Sequence, residues 1–236
     1  MSAVKKRVVI GINADFRSGA CSVGYNYVRC VAKAGAVPAV IPCLHGARPA
    51  AEYMRLADGL LLIGGGDYPA GLYGEHPHAR ADEVHPRRAG WDLCLARAAL
   101  ACRKPLLGIC GGHQLIHIAM GGRIIQHLED AACHRKEGMY LEHSIIISGG
   151  KILRQLFGKG KVAVNSNHHQ AVDPRALPEG LEAVAHAGGV VEAIEAPAMP
   201  FVLGVQWHPE RMAWSGHAAL VFGAFVAAAG RASWEN

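Results

Sequence analysis

The sequence predicts an α/β fold: a central, mostly parallel sheet with helices on both faces and antiparallel strands added to it. Three observations carry this expectation. Short β-branched apolar runs alternate with helix-compatible stretches through the first half, and strand patterns follow one another closely in the second. The 236 residues are 51% hydrophobic and 18% charged, enough to bury a substantial core, and a single domain over residues 1–236 is expected.

Residues 7–12, 37–41, 60–63 and 106–110 read as strands, and residues 23–34, 50–57 and 88–102 as the helices between them. Continuous apolar strands joined by crossover helices imply a parallel sheet covered on both faces, with ligands gathering at the strand carboxyl ends. Residues 144–147, 162–164, 181–185, 190–194 and 201–205 are closely spaced strands with proline and glycine turns, and so predict antiparallel additions. The polar segment 67–88 reads as a long loop of the functional or mobile kind. The small-apolar run 218–229 is shorter than the roughly 20 residues that span a bilayer and predicts a buried helix.

Charge and cysteine usage bound the function. Basic residues exceed acidic ones by 24 to 19, without a basic run or interleaved aromatics, so no nucleic-acid partner is expected. The apolar stretch near the start ends at Asn13 and Asp15, so neither an export signal nor a membrane partner is expected. Seven cysteines, odd in number and without C-x-x-C, read as reduced thiols in mostly apolar surroundings, consistent with a cytoplasmic location. A homo-oligomer is compatible with the sequence.

The chemistry centres on Gly108-Ile109-Cys110-Gly111-Gly112, which follows a buried strand and opens a helical pattern. This is the spacing of a nucleophile elbow with sulfur in place of oxygen; glycines on either side let neighbouring backbone pass the tight turn. At a helix amino terminus, free N–H groups and the dipole favour the thiolate. The competing reading is a small buried cysteine packed in a glycine-tight turn.

A nucleophilic cysteine needs a base, itself held by a third group. Of fourteen histidines, His208 is best placed, because it follows the apolar strand 201–205 and reaches a sheet end. Pro209 stiffens the turn and leaves Glu210 able to accept from the imidazole. A structural His-Pro-Glu turn is the alternative. Gly64, Gly65 and Gly66 follow another buried strand, and their amides together with that of Gly111 could form an oxyanion hole, or simply a turn. Asn165, Ser166, Asn167, His168, His169 and Gln170 form a polar cluster that needs water or a ligand, as a solvated turn or a substrate contact.

No metal is expected. His168 and His169 lack the i, i+4 spacing of a helical pair, and His208-x-Glu210 is not followed by Pro-Cys-x-x-Cys. Neither glycine-rich nucleotide fingerprint occurs, and no organic cofactor is expected.

Taken in order, LLIGGGDYPAGLYGE, KPLLGICGGHQLIHIAMGG, VNSNHHQAV, VVEAIEAP and FVLGVQWHPE resemble the gamma-glutamyl-gamma-aminobutyrate hydrolase family, within the class I glutamine amidotransferase-like superfamily of flavodoxin-like fold. The resemblance runs over residues 8–228. It implies a Cys110, His208, Glu210 triad that hydrolyses a small-molecule γ-glutamyl amide through a γ-glutamyl thioester. It further implies Gly64 or Gly65 with Gly111 as oxyanion donors, and Gln114, Asn165, Ser166, His168, His169 and Gln170 as contacts to the glutamyl head. Two departures stand out: Gly111 where the family often has arginine, and Arg88-Ala89 where it has Arg-Asp. Both bear on the leaving group. Alternative roles are a glutaminase subunit delivering ammonia to a separate synthase and a catalytically silent γ-glutamyl-binding module.

Overall fold

The computed structural model describes residues 7–135, 139–212 and 216–232. Its main sheet begins with β1 (Val9–Asn13), while β2 (Asp15–Arg17) and β3 (Ala20–Ser22) form a separate hairpin. Helix α1 (Tyr25–Lys33) leads to β4 (Val37–Ile41), α2 (Ala47–Leu56) to β5 (Gly59–Leu62), and α3 (Pro86–Ala101) to β6 (Leu106–Ile109). These strands lie in the order β4, β1, β5, β6, all parallel.

After β6 come α4 (Gly111–Ala119), β7 (Ile124–Ile125), α5 (Ala131–His134), β8 (Leu141–Ile147), α6 (Ile152–Phe157), β9 (Gly160–Ser166) and β10 (Ala171–Val172). The chain closes with β11 (Glu182–Ala187), β12 (Val190–Glu195), β13 (Val202–Val205) and α7 (His217–Ala232). Strand β13 joins β6 in parallel; β12, β11, β8 and β9 then extend the sheet antiparallel. The predicted mixed architecture is therefore the observed one.

Both faces of the parallel strands are covered, as their uninterrupted apolar runs require. Along β5 and the residue after it, Leu61 and Ile63 face one core with Tyr27, Val31, Phe222 and Phe225, whereas Leu60 and Leu62 face another with Met54, Trp91, Leu95 and Ile116. Helices α1 and α7 thus lie on one face and α2, α3 and α4 on the other. The run 218–229 lies within α7, and among the described residues no helix is long and apolar enough to cross a membrane.

Three expectations need correction. Segment 67–88 is not wholly loop: Ala70–Tyr73 form a turn of 3-10 helix, and α3 already begins at Pro86, with His85 accepting from the Arg87 N–H at 3.1 Å. Strand β9 runs on to Ser166, so Asn165 and Ser166 belong to the ladder with β8 rather than to a turn. The cysteines are not mostly in apolar surroundings: Cys30, Cys43 and Cys110 are buried, Cys94 is half-buried, and Cys21, Cys102 and Cys133 are exposed.

Candidate active site

Cys110 sits between β6 and α4 with φ +53° and ψ −107°. A left-handed φ is rare for a non-glycine residue and costs about 1–3 kcal/mol, so the surrounding structure must impose it. The flanking glycines show how. A side chain at Gly108 would strike the Gly112 carbonyl, and one at Gly112 would strike the Leu62 carbonyl of β5. The elbow is therefore pressed against the neighbouring strand at backbone distance, and the thiol stands at the first turn of α4.

His208 reaches the same place from β13. Its Nδ1 donates to Glu210 Oε1 at 2.8 Å; Glu210 is fully buried, so this bond defines the imidazole tautomer. The other ring nitrogen, Nε2, is buried without a hydrogen-bond partner among the described residues and so is left to serve the Cys110 thiol nearby. Burial opposes a charge on His208, but Glu210 and the Cys110 thiolate outweigh it and hold the imidazole well above its ordinary value. Cys110 Cβ and His208 Cε1 lie 3.3 and 3.2 Å from the point where a side chain at Gly64 would begin. A side chain there would press both groups by a few tenths of an ångström.

Gln206 is part of this constellation and was not anticipated. Two residues before His208, it points the same way, and its Nε2 donates to Cys110 Sγ at 3.6 Å. Gln114 Nε2 in turn donates to Gln206 Oε1 and to the Gln170 carbonyl, both at 3.2 Å. Gln114 therefore fixes the amide that touches sulfur.

The glycine turn after β5 resolves into distinct roles. The Gly64 N–H donates to the Tyr27 hydroxyl at 3.3 Å, and its carbonyl accepts from Arg88 at 2.9 Å. The Gly65 nitrogen instead lies 3.6 Å from where a side chain at Gly111 would begin, beside the elbow. Arg88 is buried and holds the turn from behind, bonding Asp92 at 3.1 Å and Asp15 at 3.0 Å, while Tyr68 donates to Asp92 at 2.8 Å. Its guanidinium packs so tightly on Gly65 that a β-carbon there would collide with it. The Arg88-x-x-x-Asp92 spacing was the signal: i, i+4 on one helix face.

Segment 165–170 is satisfied mostly by the protein itself, contrary to the expectation that it needs water or ligand. Asn165 exchanges two bonds with the His208 backbone, at 2.8 and 3.0 Å, and Ser166 Oγ donates to the His134 carbonyl at 2.9 Å; neither lines the cavities beside Cys110. His168, His169 and Gln170 do, together with Asn167. His169 pairs with Asp67 at 3.1 Å, and Gln170 donates to the Gln126 carbonyl at 3.1 Å.

Two cavities meet at Cys110, sharing Gly65 and Asn167 in their walls. One, of about 200 Å³, is polar and carries Gln114, Asp67, Arg17 and Arg135. The other, of about 280 Å³, carries His208, Tyr27, Tyr140 and Arg211. Tyr140 meets the His208 ring edge-on at 5.1 Å, with the Arg211 guanidinium over its face at 5.0 Å. A thiol with a base beside it, amides around it and a cavity on either side can attack an acyl carbon and protonate a departing group.

Fold and site together define the glutamine amidotransferase-like class. The chain belongs to the peptidase C26 family, whose pattern it matches over residues 8–210. It is 39% identical over 157 residues to "Putative glutamine amidotransferase Rv2859c" of Mycobacterium tuberculosis, a match covering 64% of this chain and half of that protein. It is 30% identical over 202 residues to the gamma-glutamyl-gamma-aminobutyrate hydrolase PuuD of Escherichia coli, covering 78% and 76% of the two chains. In fold it resembles the glutaminase domain of the Trypanosoma brucei CTPS with bound acivicin, with a TM-score of 0.70 at 19% identity over 95% of this chain and 94% of that one.

Proposed function

We propose that this chain hydrolyses a γ-glutamyl amide, such as γ-glutamyl-γ-aminobutyrate or a related γ-glutamyl amine, through a γ-glutamyl thioester on Cys110. The observation that carries the reading is the strained elbow of Cys110 meeting the His208–Glu210 pair over Gly64. Glu210 fixes the tautomer in which His208 accepts the thiol proton. The thiolate attacks the γ-carbonyl, and the oxyanion rests on the Gly65 and Gly111 amides. Gly64 is the weaker candidate, since its N–H is already given to Tyr27.

The two cavities divide the substrate. His208 must protonate the leaving amine, so the amine leaves on the side of Tyr140 and Arg211, and the glutamyl head lies on the side of Gln114 and Gln170. Water, activated by the same imidazole, then releases glutamate. No step requires a metal or organic cofactor.

The test is glutamate release from glutamine, γ-glutamyl-γ-aminobutyrate, γ-glutamyl polyamines and γ-glutamyl peptides, wild type against Cys110→Ala. Turnover of at least one γ-glutamyl amine, absent in the variant, supports the reading. Equal behaviour of the two proteins contradicts it.

A further inference from the structure

Behind the wall formed by residues 167–170, four side chains from different elements converge on one point. They are His134 at the end of α5, His143 on β8, His168 after β9, and Glu192 on β12. His143 Nε2, His168 Nε2 and His134 Nδ1 lie 3.3, 3.5 and 3.8 Å from Glu192 Oε1. Glu192 is fully buried, and His134 and His168 are each 4% exposed. Those three nitrogens and both Glu192 oxygens have no hydrogen-bond partner among the described residues.

Donor chemistry makes the arrangement specific. His168 Nδ1 lies 3.0 Å from the Gln170 carbonyl, which can only accept, so Nδ1 carries a proton and the neutral ring would present a lone pair on Nε2 to the carboxylate. Two acceptors facing each other in a dry interior repel unless a proton or a metal ion lies between them, and a metal ion can meet several such nitrogens at once. His134 shows the same polarity: Nδ1 faces Glu192, while Nε2 is 3.7 Å from Asp130. Metal-bound histidines are commonly oriented in this way, by an acceptor on the far ring nitrogen.

The spacing agrees. Donors about 2.0–2.2 Å from a tetrahedral ion stand roughly 3.3–3.5 Å apart, matching the His143 and His168 separations from Glu192 and nearing that of His134. His134, His143 and Glu192 each offer a ligand atom within 4.8 Å of the others. We propose that His134, His143 and Glu192, with His168 as the fourth donor, bind a borderline divalent transition ion such as zinc. Imidazole nitrogens with one carboxylate suit zinc and disfavour calcium or magnesium.

The ion's role follows from what it joins. It ties α5, β8 and β12 to segment 165–170, whose Asn165 holds the His208 backbone and whose later residues wall the cavity at Cys110. It lies outside the proposed acyl chemistry and fixes that wall in place.

Untagged protein, stripped with chelator and dialysed against zinc, should retain one ion per chain by elemental mass spectrometry. Cobalt(II) should give the intense d–d bands of a tetrahedral site without a thiolate charge-transfer band, which would mark binding to cysteines instead. His143→Gln, at a partly exposed ligand, should lose the retained ion and the bands, and its thermal midpoint should no longer respond to zinc; Cys110→Ser should keep all three. Wild-type protein that retains no zinc and gives no tetrahedral cobalt spectrum overturns the proposal. So does undiminished binding by His143→Gln. Should that variant fail to fold, the wild-type cobalt spectrum alone decides.

Discussion

At Cys110 the structure accepts local strain in order to present one sulfur. The left-handed backbone aims the thiol into the junction of two cavities, and Gln206, His208 and the first turn of α4 then define its electrostatic environment. Gln206 donates to the sulfur, a charge-assisted bond once the thiolate forms. Gln206→Leu should therefore lower kcat/KM by about 10- to 100-fold, the range expected for losing one such bond of roughly 1.5–3 kcal/mol. Glu210→Gln should be more severe, on the order of 10²–10⁴-fold in kcat, because the amide no longer enforces the acceptor tautomer toward sulfur. Steady-state kinetics on the best γ-glutamyl amine checks both, and a fall in stability without loss of rate would contradict them. Cys110, His208 and Glu210 were legible in sequence because elbow and turn are local patterns. Gln206 was not, since nothing local distinguishes a glutamine facing a sulfur from one facing another strand.

Among the elements, the turn after β5 depends on Arg88. This buried guanidinium holds the Gly64 carbonyl and packs on Gly65, with Asp92 and Asp15 balancing its charge. Arg88→Met should cost about 3–5 kcal/mol, as expected when one partner of a buried pair is removed, and denaturant unfolding measures it. The remaining folded protein should lose kcat more than KM, since the displaced group is the proposed oxyanion donor rather than a substrate clamp. At the far end of β12, Glu195 accepts from the Lys151, Ile152 and Leu153 amides at 2.8–2.9 Å and so caps α6. Glu195→Ala should cost about 2–3 kcal/mol in the same measurement without altering turnover of the folded fraction. The apolar strands and their helices were readable from periodicity because both faces of each strand are buried. The satisfaction of Asn165 and Ser166 by His208 and His134 was not, because it depends on contacts between segments 32 to 43 residues apart.

For the molecule as a whole, two buried histidines are expected to weaken the fold in acid. Burial, with His117 nearby, lowers His113 to about 3, and burial lowers His117 to about 4. Both are neutral when folded near neutral pH, and an unfolded histidine titrates near 6.5. Below about 6.5 the unfolded chain gains protons that the native one refuses, so stability falls as pH drops from about 6.5 toward 3 and is unaffected by these two groups above that window. The loss is on the order of several kcal/mol. His113→Gln should flatten the acid limb of a thermal-midpoint profile, whereas an unchanged limb would mean that other groups govern it. The same scale explains why the proposed metal set was not foreseen. His134, His143, His168 and Glu192 have no common spacing along the chain, and only the antiparallel half of the sheet brings them together.

The central claim is a covalent γ-glutamyl enzyme on Cys110. Acid-quenched intact and peptide mass spectrometry during turnover of γ-glutamyl-γ-aminobutyrate, or of the best substrate in the panel, tests it most directly. The account predicts a glutamyl adduct on the peptide containing Cys110 in wild type, little or none in His208→Asn, which lacks the base that acylation needs, and none in Cys110→Ala. Glutamate release that persists in Cys110→Ala, or an adduct on another residue, would contradict it.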